Sequence, residues 1–404
     1  MINLSLQTIT SIDDLRSVAK SWDDLWWRSD VALPTCRAAA LAMWLEQFAK
    51  DSQFHALVVS RDETFVGALP LVRTRWNGAL HVARLPNNPW CVAGDLLIDR
   101  TTDSAAICEL LAEGVRRGPW SLAMFDEVSL ASPGWHVLLD ALRTAGSEVD
   151  TRMRYLIGQV EIAGDWPNYE SSRSKNHRKH VRQMGRRMED QGATELVVER
   201  EASHSDVARL LRRGCEVEDR SWKGGAGSSI LQTPGMYDFY LRLVQHLVQT
   251  QGAQLHFLQH GETDAAFQLV LAGKGTLFPA KIAYDPALSK FSPWQILMHR
   301  WLESLHAQHT QEGAPSLVDF YGPLMDASAK WSTRTYPLGK VLASTAARGS
   351  TTLFKAIQSA KRLKAKWRPC PPAVLPEIYP LAAGSDGSQD ERREKQDKKA
   401  VGQA

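Results

Sequence analysis

The sequence of 404 residues is poor in cysteine and has no close cysteine pair. Its five cysteines lie at positions 36, 91, 108, 215 and 370, and none forms a Cys-x-x-Cys motif. An odd and scattered set is typical of reduced thiols in a cytoplasm rather than of a disulfide framework. The histidine pairs at 256/260 and 299/306 lack a further Cys or acid at ligand spacing, so we predict no metal site.

Long hydrophobic runs and the common phosphate-binding glycine motifs are also missing. No stretch approaches the roughly 18 apolar residues that cross a bilayer, and the first residues lack the features of a signal peptide. Neither Gly-x-x-x-x-Gly-Lys-Ser/Thr nor Gly-x-Gly-x-x-Gly occurs. The formal net charge of +3 does not indicate a nucleic-acid partner for the whole chain. We therefore expect a cytoplasmic protein without these nucleotide-binding loops.

Hydrophobic periodicity indicates a mixed fold. Periods typical of strands alternate with periods typical of helices, and 44% of the residues are hydrophobic, enough for sizeable cores. The second half repeats a similar order of elements, which predicts an α+β protein of two tandem related domains. We place these domains at residues 1–165 and 166–368, followed by a tail at 369–404 that is Pro-rich, then charged, and expected to be disordered.

The segment from Glu218 to Gly227 carries the clearest chemical signal. It reads Glu-Asp-Arg-Ser-Trp-Lys-Gly-Gly-Ala-Gly and follows an amphipathic helix pattern at 204–220. One interpretation is a ligand loop, in which glycines let backbone approach a ligand while Trp222 and Lys223 provide an apolar wall and a charge. The alternative is an ordinary helix end, with Lys223 in the last turn and Gly224 as a left-handed cap.

This motif and several segments in the same order resemble a known family. Glu-x-x-Ser-Trp-Lys-Gly-x-x-Gly is similar to the signature of the acyltransferases encoded near bacterial cellulose and exopolysaccharide genes, the CelD-like family of the GNAT superfamily. The other segments that resemble the family are 67–71, the basic helix at 178–192, Ile282-Ala-Tyr-Asp-Pro286 with Ser292-Pro293, and Asp319-Phe-Tyr-Gly322 with Lys330-Trp331. The resemblance covers roughly residues 20 to 345. It departs at Trp294, where the family pattern has glycine.

The resemblance implies two GNAT-like domains, each with a mixed, mostly antiparallel sheet flanked by helices, and acyl-CoA as co-substrate. Ile282 and Ala283 would offer strand backbone to the pantetheine arm. Ser292 and Pro293 suit the N-cap and first position of a helix, so the amides of Trp294, Gln295 and Ile296 would face the phosphates. The alternative is a capped helix without a ligand, and the bulk of Trp294 favours it.

Direct acyl transfer needs a base for the acceptor and an acid for the leaving thiolate. The candidate bases are Glu218 and Asp285, and Tyr284 is the candidate acid, with Tyr321 as a second donor. The predicted acceptor-binding residues are Trp222, Lys223, Asp319, Tyr321 and Lys330. Each also has a structural interpretation, since Asp-Pro often opens a turn and tyrosines often end strands.

Two further segments have open interpretations. The run from Arg173 to Arg187 has seven Lys and Arg residues and no acid, so it could bind an anionic ligand, tRNA or the 3′-phosphate of CoA, or be a solvated helix face. The amphipathic stretch 353–368 could lie on a membrane surface, although the lysines that interrupt its apolar stripe favour docking on its own domain.

Taken together, the sequence predicts an acyltransferase that moves an acyl group from acyl-CoA to an amine or hydroxyl of a sugar or polysaccharide precursor. One alternative is a transferase similar to the Fem-type enzymes, with aminoacyl-tRNA as donor and the basic helix as its tRNA surface. The other is a non-catalytic GNAT-like module that binds an anionic ligand or partner. The sequence does not reveal the acceptor, the acyl length or the oligomeric state.

Overall fold

The structure is a computed structural model that describes residues 4–200 and 203–367, and Ile378. The expected disordered tail at 369–404 lies outside this part of the chain, apart from Ile378. Within the described residues the strands are β1 (Leu4–Ile9), β2 (Gln53–Arg61), β3 (Thr64–Trp76), β4 (Leu80–Arg84), β5 (Leu97–Ile98), β6 (Leu122–Ser129), β7 (Val149–Glu161), β8 (Thr194–Glu199), β9 (Ala253–His260), β10 (Thr263–Gly273), β11 (Thr276–Tyr284), β12 (Leu317–Asp319) and β13 (Arg334–Ser344).

The helices flank this sheet on both faces. They are α1 (Ile12–Ser17), α2 (Ala19–Arg28), α3 (Ala38–Phe48), α4 (Ser104–Arg117), α5 (Pro133–Thr144), α6 (Trp166–Ser171), α7 (Lys175–Glu189), α8 (His204–Arg220), α9 (Trp222–Gly225), α10 (Met236–Val248), α11 (Pro293–Ala307), α12 (Asp326–Ala329) and α13 (Ser350–Trp367).

The strands form one mixed and mostly antiparallel sheet, which confirms the predicted fold class. The order is β1-β2-β3-β4-β6-β13-β7-β12-β11-β10-β9-β8, with β5 added beside β3. Among the described strands only β4 with β6 and β11 with β12 pair in parallel. Strands from the first half of the chain lie at one end of the sheet and strands from the second half at the other, and one strand near the middle is out of this order.

That strand is β13, which comes from the second half but pairs inside the first. It lies between β6 and β7, with Val341 opposite both Phe125 and Thr151. β7 in turn pairs β13 on one side and β12 on the other. The two halves therefore share backbone hydrogen bonds at the centre of the sheet. The predicted boundary at residue 165 falls just after β7, and as a domain boundary it stays a prediction.

The largest apolar core also joins the two halves. It combines Trp22, Trp26 and Trp44 from α2 and α3 with Phe239 and other residues from α10, β9, β10 and β11. The Lys274 amine at the tip of the β10–β11 hairpin donates to the carbonyls of Trp26 and Ser29 at the end of α2. Helices of the first half thus cover one face of the second-half sheet.

The site lies where the parallel strands β11 and β12 separate. They pair only at Thr276 with Leu317 and at Leu277 with Val318. Beyond these positions β11 continues against β10 alone, while β12 continues against β7. The chain then turns through a 3-10 helix (Pro286–Phe291) into α11. An opening between two strands therefore ends close to the beginning of a helix.

The last helix, α13, docks on the sheet of its own chain. Phe354 is buried against Val82, Leu122 and Leu342, and the Gln358 amide donates to Asp150 at 2.7 Å. Ion pairs join Lys355 to Glu148 and Lys361 to Asp150. Lys364 and Trp367, also part of the predicted stripe, have side chains outside the described set. Across residues 4–200 and 203–367, no helix combines the length and the apolar character that crossing a bilayer requires.

Candidate active site

The Glu218–Gly227 segment forms a helix end, a sharp turn and a second short helix. α8 ends at Arg220, and Ser221 is extended, with its hydroxyl accepting from the Lys223 amide at 3.3 Å. The predicted left-handed cap at Gly224 is therefore wrong, since among these glycines only Gly227 has a positive φ, of 67°. Gly224 is needed for space, because a Cβ there would lie 1.8 Å from the Asp219 carbonyl oxygen.

Glu218 is buried and both of its carboxylate oxygens are engaged. Its side chain comes from the buried face of α8 and is only 3% exposed. One oxygen accepts from the Lys223 amine at 2.7 Å, and the other accepts from the Ile230 amide at 2.9 Å. The Lys223 amine also donates to the Ile282 carbonyl at 3.2 Å. Three residues predicted from the sequence, Glu218, Lys223 and Ile282, thus meet in one hydrogen-bonded chain.

Next to this chain lies a lysine that the sequence analysis missed. Lys281 on β11 is half-buried, and its amine lies 4.9 Å from the centre of the Trp90 ring and 5.0 Å from that of Tyr240. Burial lowers the pKa of Lys281 to about 8, while the charge of Glu218 opposes that shift and Lys223 reinforces it. The available sequence signal was a lone lysine inside the apolar strand 276–284, one position before Ile282.

Trp90 and Tyr321 tie the first half of the chain to this region. The Tyr240 hydroxyl donates to the Trp90 carbonyl, and the Tyr321 hydroxyl accepts from the Val92 amide at 2.8 Å. Tyr321 has a φ of 60°, and its amide donates to Asp319 at 2.9 Å. Burial raises the pKa of Asp319, which also accepts from Gln159 at 2.8 Å. Asp319 and Tyr321 therefore brace the β12 side of the opening.

Asp285 and Tyr284 lie at the end of β11. The Asp285 carboxylate accepts from Arg220 at 2.8 Å and from the Ala287 amide at 3.0 Å, so it caps the 3-10 helix. Tyr284 is 40% exposed. The structural interpretation of the Asp-Pro turn matches this arrangement, and the catalytic roles of Asp285 and Tyr284 stay predictions.

The beginning of α11 departs from the expected anion site. Ser292 is left-handed, its hydroxyl makes no capping bond, and it lies 3.2 Å from the His180 ring on α7. The amides of Gln295 and Ile296 donate back to the Ser292 carbonyl, so the prediction that both are free is wrong. Among the described residues, the Trp294 amide is left without a backbone acceptor.

The side chains of this helix start serve packing. Trp294 is 8% exposed and faces the core, with Phe320 at 6.4 Å between ring centres. The side-chain amide oxygen of Gln295 accepts a hydrogen bond from the Trp331 ring nitrogen at 2.7 Å. Lys330 is exposed beside them.

The predicted site residues lie on two different faces of the sheet. Glu218, Lys223 and the buried Ala283 lie with α8 and α10 on one face, whereas Trp294 and Gln295 lie with α11 on the other. Trp222, 72% exposed, stands away from the Glu218 chain.

The basic run predicted at 173–187 forms α7 and packs beside α11. Its apolar residues Val181, Met184 and Met188 are buried. Arg182 pairs with Glu170, while Lys175, Lys179, Arg186 and Arg187 are exposed and form no ion pair with any described residue. A face of positive charge therefore extends from the region of Ser292 along the surface.

No group of three His, Cys, Asp or Glu side chains is placed to hold a metal ion among the described residues. The four described cysteines are free and buried.

Comparison with known proteins gives one family match. Residues 175–324 match the acetyltransferase (GNAT) domain model Acetyltransf_6. This range runs from α7 to beyond Tyr321 and contains Glu218, Lys223, Lys281 and the β11–β12 opening. A search of curated proteins gives no match.

Three solved structures match this chain over most of its length. A conserved protein of unknown function from Bacteroides thetaiotaomicron has 12% identity, a TM-score of 0.50, and coverage of 85% of this chain and 100% of its own. FemX has 11% identity, a TM-score of 0.47, and coverage of 87% and 99%. A tandem GNAT protein from the clavulanic acid biosynthesis pathway has 13% identity, a TM-score of 0.42, and coverage of 83% and 98%.

The separation of β11 from β12, the helix that follows, and the charged residues beside them all lie inside residues 175–324. This segment is similar to acetyltransferase (GNAT) domains, and the enzyme class supported for the chain that carries it is a GNAT-type acyltransferase.

Proposed function

We propose that this protein transfers an acyl group directly from acyl-CoA to an amine or hydroxyl of a sugar or polysaccharide precursor. The observation that carries the proposal is the separation of parallel strands β11 and β12 after the pair Leu277–Val318, on the strand whose far end leads through a 3-10 helix into α11. Strand backbone without a partner can bind the amides of an extended ligand arm. A helix start next to it favours the negative charge of phosphates.

The residues at the opening fit such a donor in part. Backbone of β11 beyond Leu277 faces no strand on the β12 side. At the phosphate end, the Trp294 amide, His180 and the cationic face of α7 would meet the anionic groups. The Ile282 carbonyl already accepts from Lys223, so it would hold the donor only if that bond were exchanged. Ala283 lies buried in the core and would contribute through its backbone.

The acceptor would lie on the α8 and α10 side, with Glu218 and Lys223. Aromatic side chains at Trp90 and Trp222 suit the apolar faces of a sugar ring. The exposed Lys330 is on the α11 side of the sheet and suits a negatively charged group of either substrate. The link to exopolysaccharide synthesis rests on the resemblance of the Glu218–Gly227 motif alone.

Calorimetric titration with acetyl-CoA and longer acyl-CoAs tests the donor. We expect saturable binding by the wild-type protein, and Trp294→Gly reports whether the buried indole restricts the phosphate end. The control is Leu363→Ala, on α13 and away from the opening, which should bind like wild type. Absence of binding to every acyl-CoA would contradict the proposal.

The cationic face of α7 favours a second candidate, in which aminoacyl-tRNA is the donor. The four exposed cations without ion pairs lie on the helix whose His180 contacts Ser292, and they extend over most of that helix, as an extended polyanion would require. Affinity for aminoacyl-tRNA that falls steeply with salt, together with no affinity for acyl-CoA, would support this second candidate.

A further inference from the structure

Lys281 differs from Lys223, its neighbour at the site, in having no hydrogen-bond or ion-pair partner for its amine. Lys223 pairs with Glu218, whereas the Lys281 amine forms no hydrogen bond or ion pair with any described residue. A lysine in a partly enclosed place normally finds a carboxylate or carbonyls, because an unpaired charge there is costly. Lys274 shows the usual solution, since its amine is bonded to the Trp26 and Ser29 carbonyls.

The surroundings of Lys281 hold the amine in place without neutralising it. The ring of Trp90, in the first half of the chain, and the ring of Tyr240, on α10, both pack against the Lys281 amine. The nearest carboxylate, Glu218 on α8, already has both oxygens engaged. The other ionisable groups that act on Lys281 are Lys223 on α9, Cys91 in the loop after β4 and Cys215 on α8.

The position of Lys281 on β11 brings it to the strand that borders the opening. Lys281 pairs with Leu269 on β10. The next residue of β10, Val270, pairs with Pro279, so the register between β10 and β11 skips one residue of β11 here. The side chain of the next residue, Ile282, packs on the α11 side, while Lys281 faces α8 and α10. An acyl group held by β11 would therefore be within one residue of this amine.

We infer that Lys281 is a further catalytic residue, whose amine takes the proton from the acceptor group as that group attacks the acyl carbon. This role rests on the proposed function and assigns Glu218 and Lys223 to positioning. Both Glu218 oxygens already accept hydrogen bonds, which leaves the carboxylate poorly placed to receive a further proton.

The step balances as an acyl transfer. The acceptor nitrogen or oxygen forms a bond to the acyl carbon, and its proton moves to the neutral Lys281 amine. The bond from the acyl carbon to the donor's sulfur breaks, and the thiolate takes the electron pair of that bond. The ammonium of Lys281 then returns the proton to the thiolate or to solvent, which restores the amine.

The lowered pKa of Lys281 makes this exchange accessible near neutral pH. With a pKa of about 8, about half of the molecules carry a neutral amine at pH 8, compared with well under one in a hundred for an ordinary lysine near 10.4. We therefore expect a rate limb that rises with pH and levels off above about 8. A lysine that only binds an anion would give the opposite limb, because deprotonation would remove its charge.

Kinetics with acetyl-CoA as donor and glucosamine as probe acceptor provide the first arm of the test. Lys281→Met and Lys281→Arg should each lower kcat at least about a hundredfold, since arginine keeps the charge but does not release its proton. Ethylamine added to Lys281→Ala should restore part of the rate. The matched control is Lys274→Met, which removes another partly buried lysine and should keep the rate within about threefold.

Trace labelling with acetic anhydride, followed by mass spectrometry, provides the second arm and needs no turnover. Labelling of Lys281 in the wild-type protein should rise through a midpoint near pH 8. A midpoint near 10.4, retained activity in Lys281→Arg, or a loss of less than threefold in Lys281→Met would each overturn the inference. If wild type transfers nothing from acetyl-CoA, the proposed function fails and the catalytic role of Lys281 fails with it, whereas an active wild type with an active Lys281→Arg variant overturns the role of Lys281 alone.

Discussion

At the scale of single residues, Glu218 and Asp285 form the same kind of ion pair, but the two pairs differ in their exposure to water. Both carboxylates pair with a cation and accept from a backbone amide. The Glu218 pair is enclosed, with the Lys223 side chain 23% exposed, whereas Arg220 beside Asp285 is 45% exposed. Loss of one partner of a buried pair leaves an uncompensated charge, while water replaces the partner at the surface.

We expect Glu218→Gln to lower the free energy of unfolding by about 3 kcal/mol, because the Lys223 ammonium would lose its counter-charge. Asp285→Asn is the matched control, and it should cost less than about 1 kcal/mol, since asparagine can still accept from the Ala287 amide. Urea unfolding at pH 7 measures both values. Equal losses in the two variants would contradict a special role for burial at Glu218.

The buried His256 should make the protein sensitive to acid. Its ring lies within hydrogen-bonding distance of Gln254 and Gln268, and burial lowers its pKa to about 3. Between pH 6.5 and 3 the unfolded chain binds the proton that the folded protein does not, so stability falls as pH falls through this window. From pH 7 to pH 5 we expect a loss of about 2 kcal/mol from this group.

Replacement by a residue that does not titrate isolates this contribution. His256→Gln keeps polar groups near Gln254 and Gln268 and should flatten the pH dependence between pH 7 and 5 by that amount. Thermal melts at fixed ionic strength measure it, with His136→Gln as an exposed control. An unchanged slope in His256→Gln would show that the ring is not the source of acid sensitivity.

At the scale of elements, α7 separates packing from charge along one helix. Its buried face is anchored by Val181, Met184 and Met188, so exposed cations can be changed without disturbing the contact with α11. Reversal of Lys179 and Arg186 to Glu should weaken binding to polyanions such as tRNA by at least about tenfold and reduce the slope of affinity against salt.

Matched measurements show which donor uses this face. The same double variant should change the affinity for acetyl-CoA less than that for tRNA, because a single CoA molecule contacts fewer cations. Filter binding at several salt concentrations and calorimetry provide the two values. Unchanged tRNA binding would indicate that the face is only solvated, the alternative left open by the sequence.

At the scale of the whole molecule, the two halves depend on each other through β7 and β13. β7 ends close to residue 161, yet its described partners, β12 and β13, both come from the second half. β6 likewise pairs β13 on one side. A fragment of residues 1–165 would therefore expose a strand of 13 residues with no partner on either side.

We expect the fragment 1–165 to lack a cooperative thermal transition, whereas the full chain melts as one unit. Circular dichroism at 218 nm and near-ultraviolet signals from the tryptophans in the shared core should change together in the full chain. Mixing the fragment with residues 166–368 should restore structure. A cooperative melt of the isolated fragment would show instead that its sheet closes without β13.

Much of this fold could be predicted from local patterns. The helix pattern at 204–220 matches α8, and the helix expected to have Pro293 as its first residue matches the beginning of α11. These elements have strong periodicity and clear caps, such as Ser203, whose hydroxyl accepts from the Asp206 amide. The basic helix that the resemblance places at 178–192 begins earlier, at Lys175, where the Ser174 side chain caps it.

The site was only partly predictable, because its geometry depends on residues far apart in sequence. The motif pointed to Glu218 and Lys223, but the contacts of Lys281 come from Trp90, 191 positions earlier, and from Tyr240 on another helix. The sequence did not reveal that the amides of Gln295 and Ile296 are paired. Their pairing depends on the left-handed backbone of Ser292.

The sequence by itself determined the alternation of helices and strands, the charged face of α7 and the motif at the end of α8, since each of these reflects periodicity or composition over a few turns. Only the tertiary structure decided that β13 crosses into the first half, that β11 leaves β12 after two paired positions, and that Lys281 lies unpartnered between two aromatic rings. These features depend on strand pairing and packing between distant segments, which local periodicity does not encode.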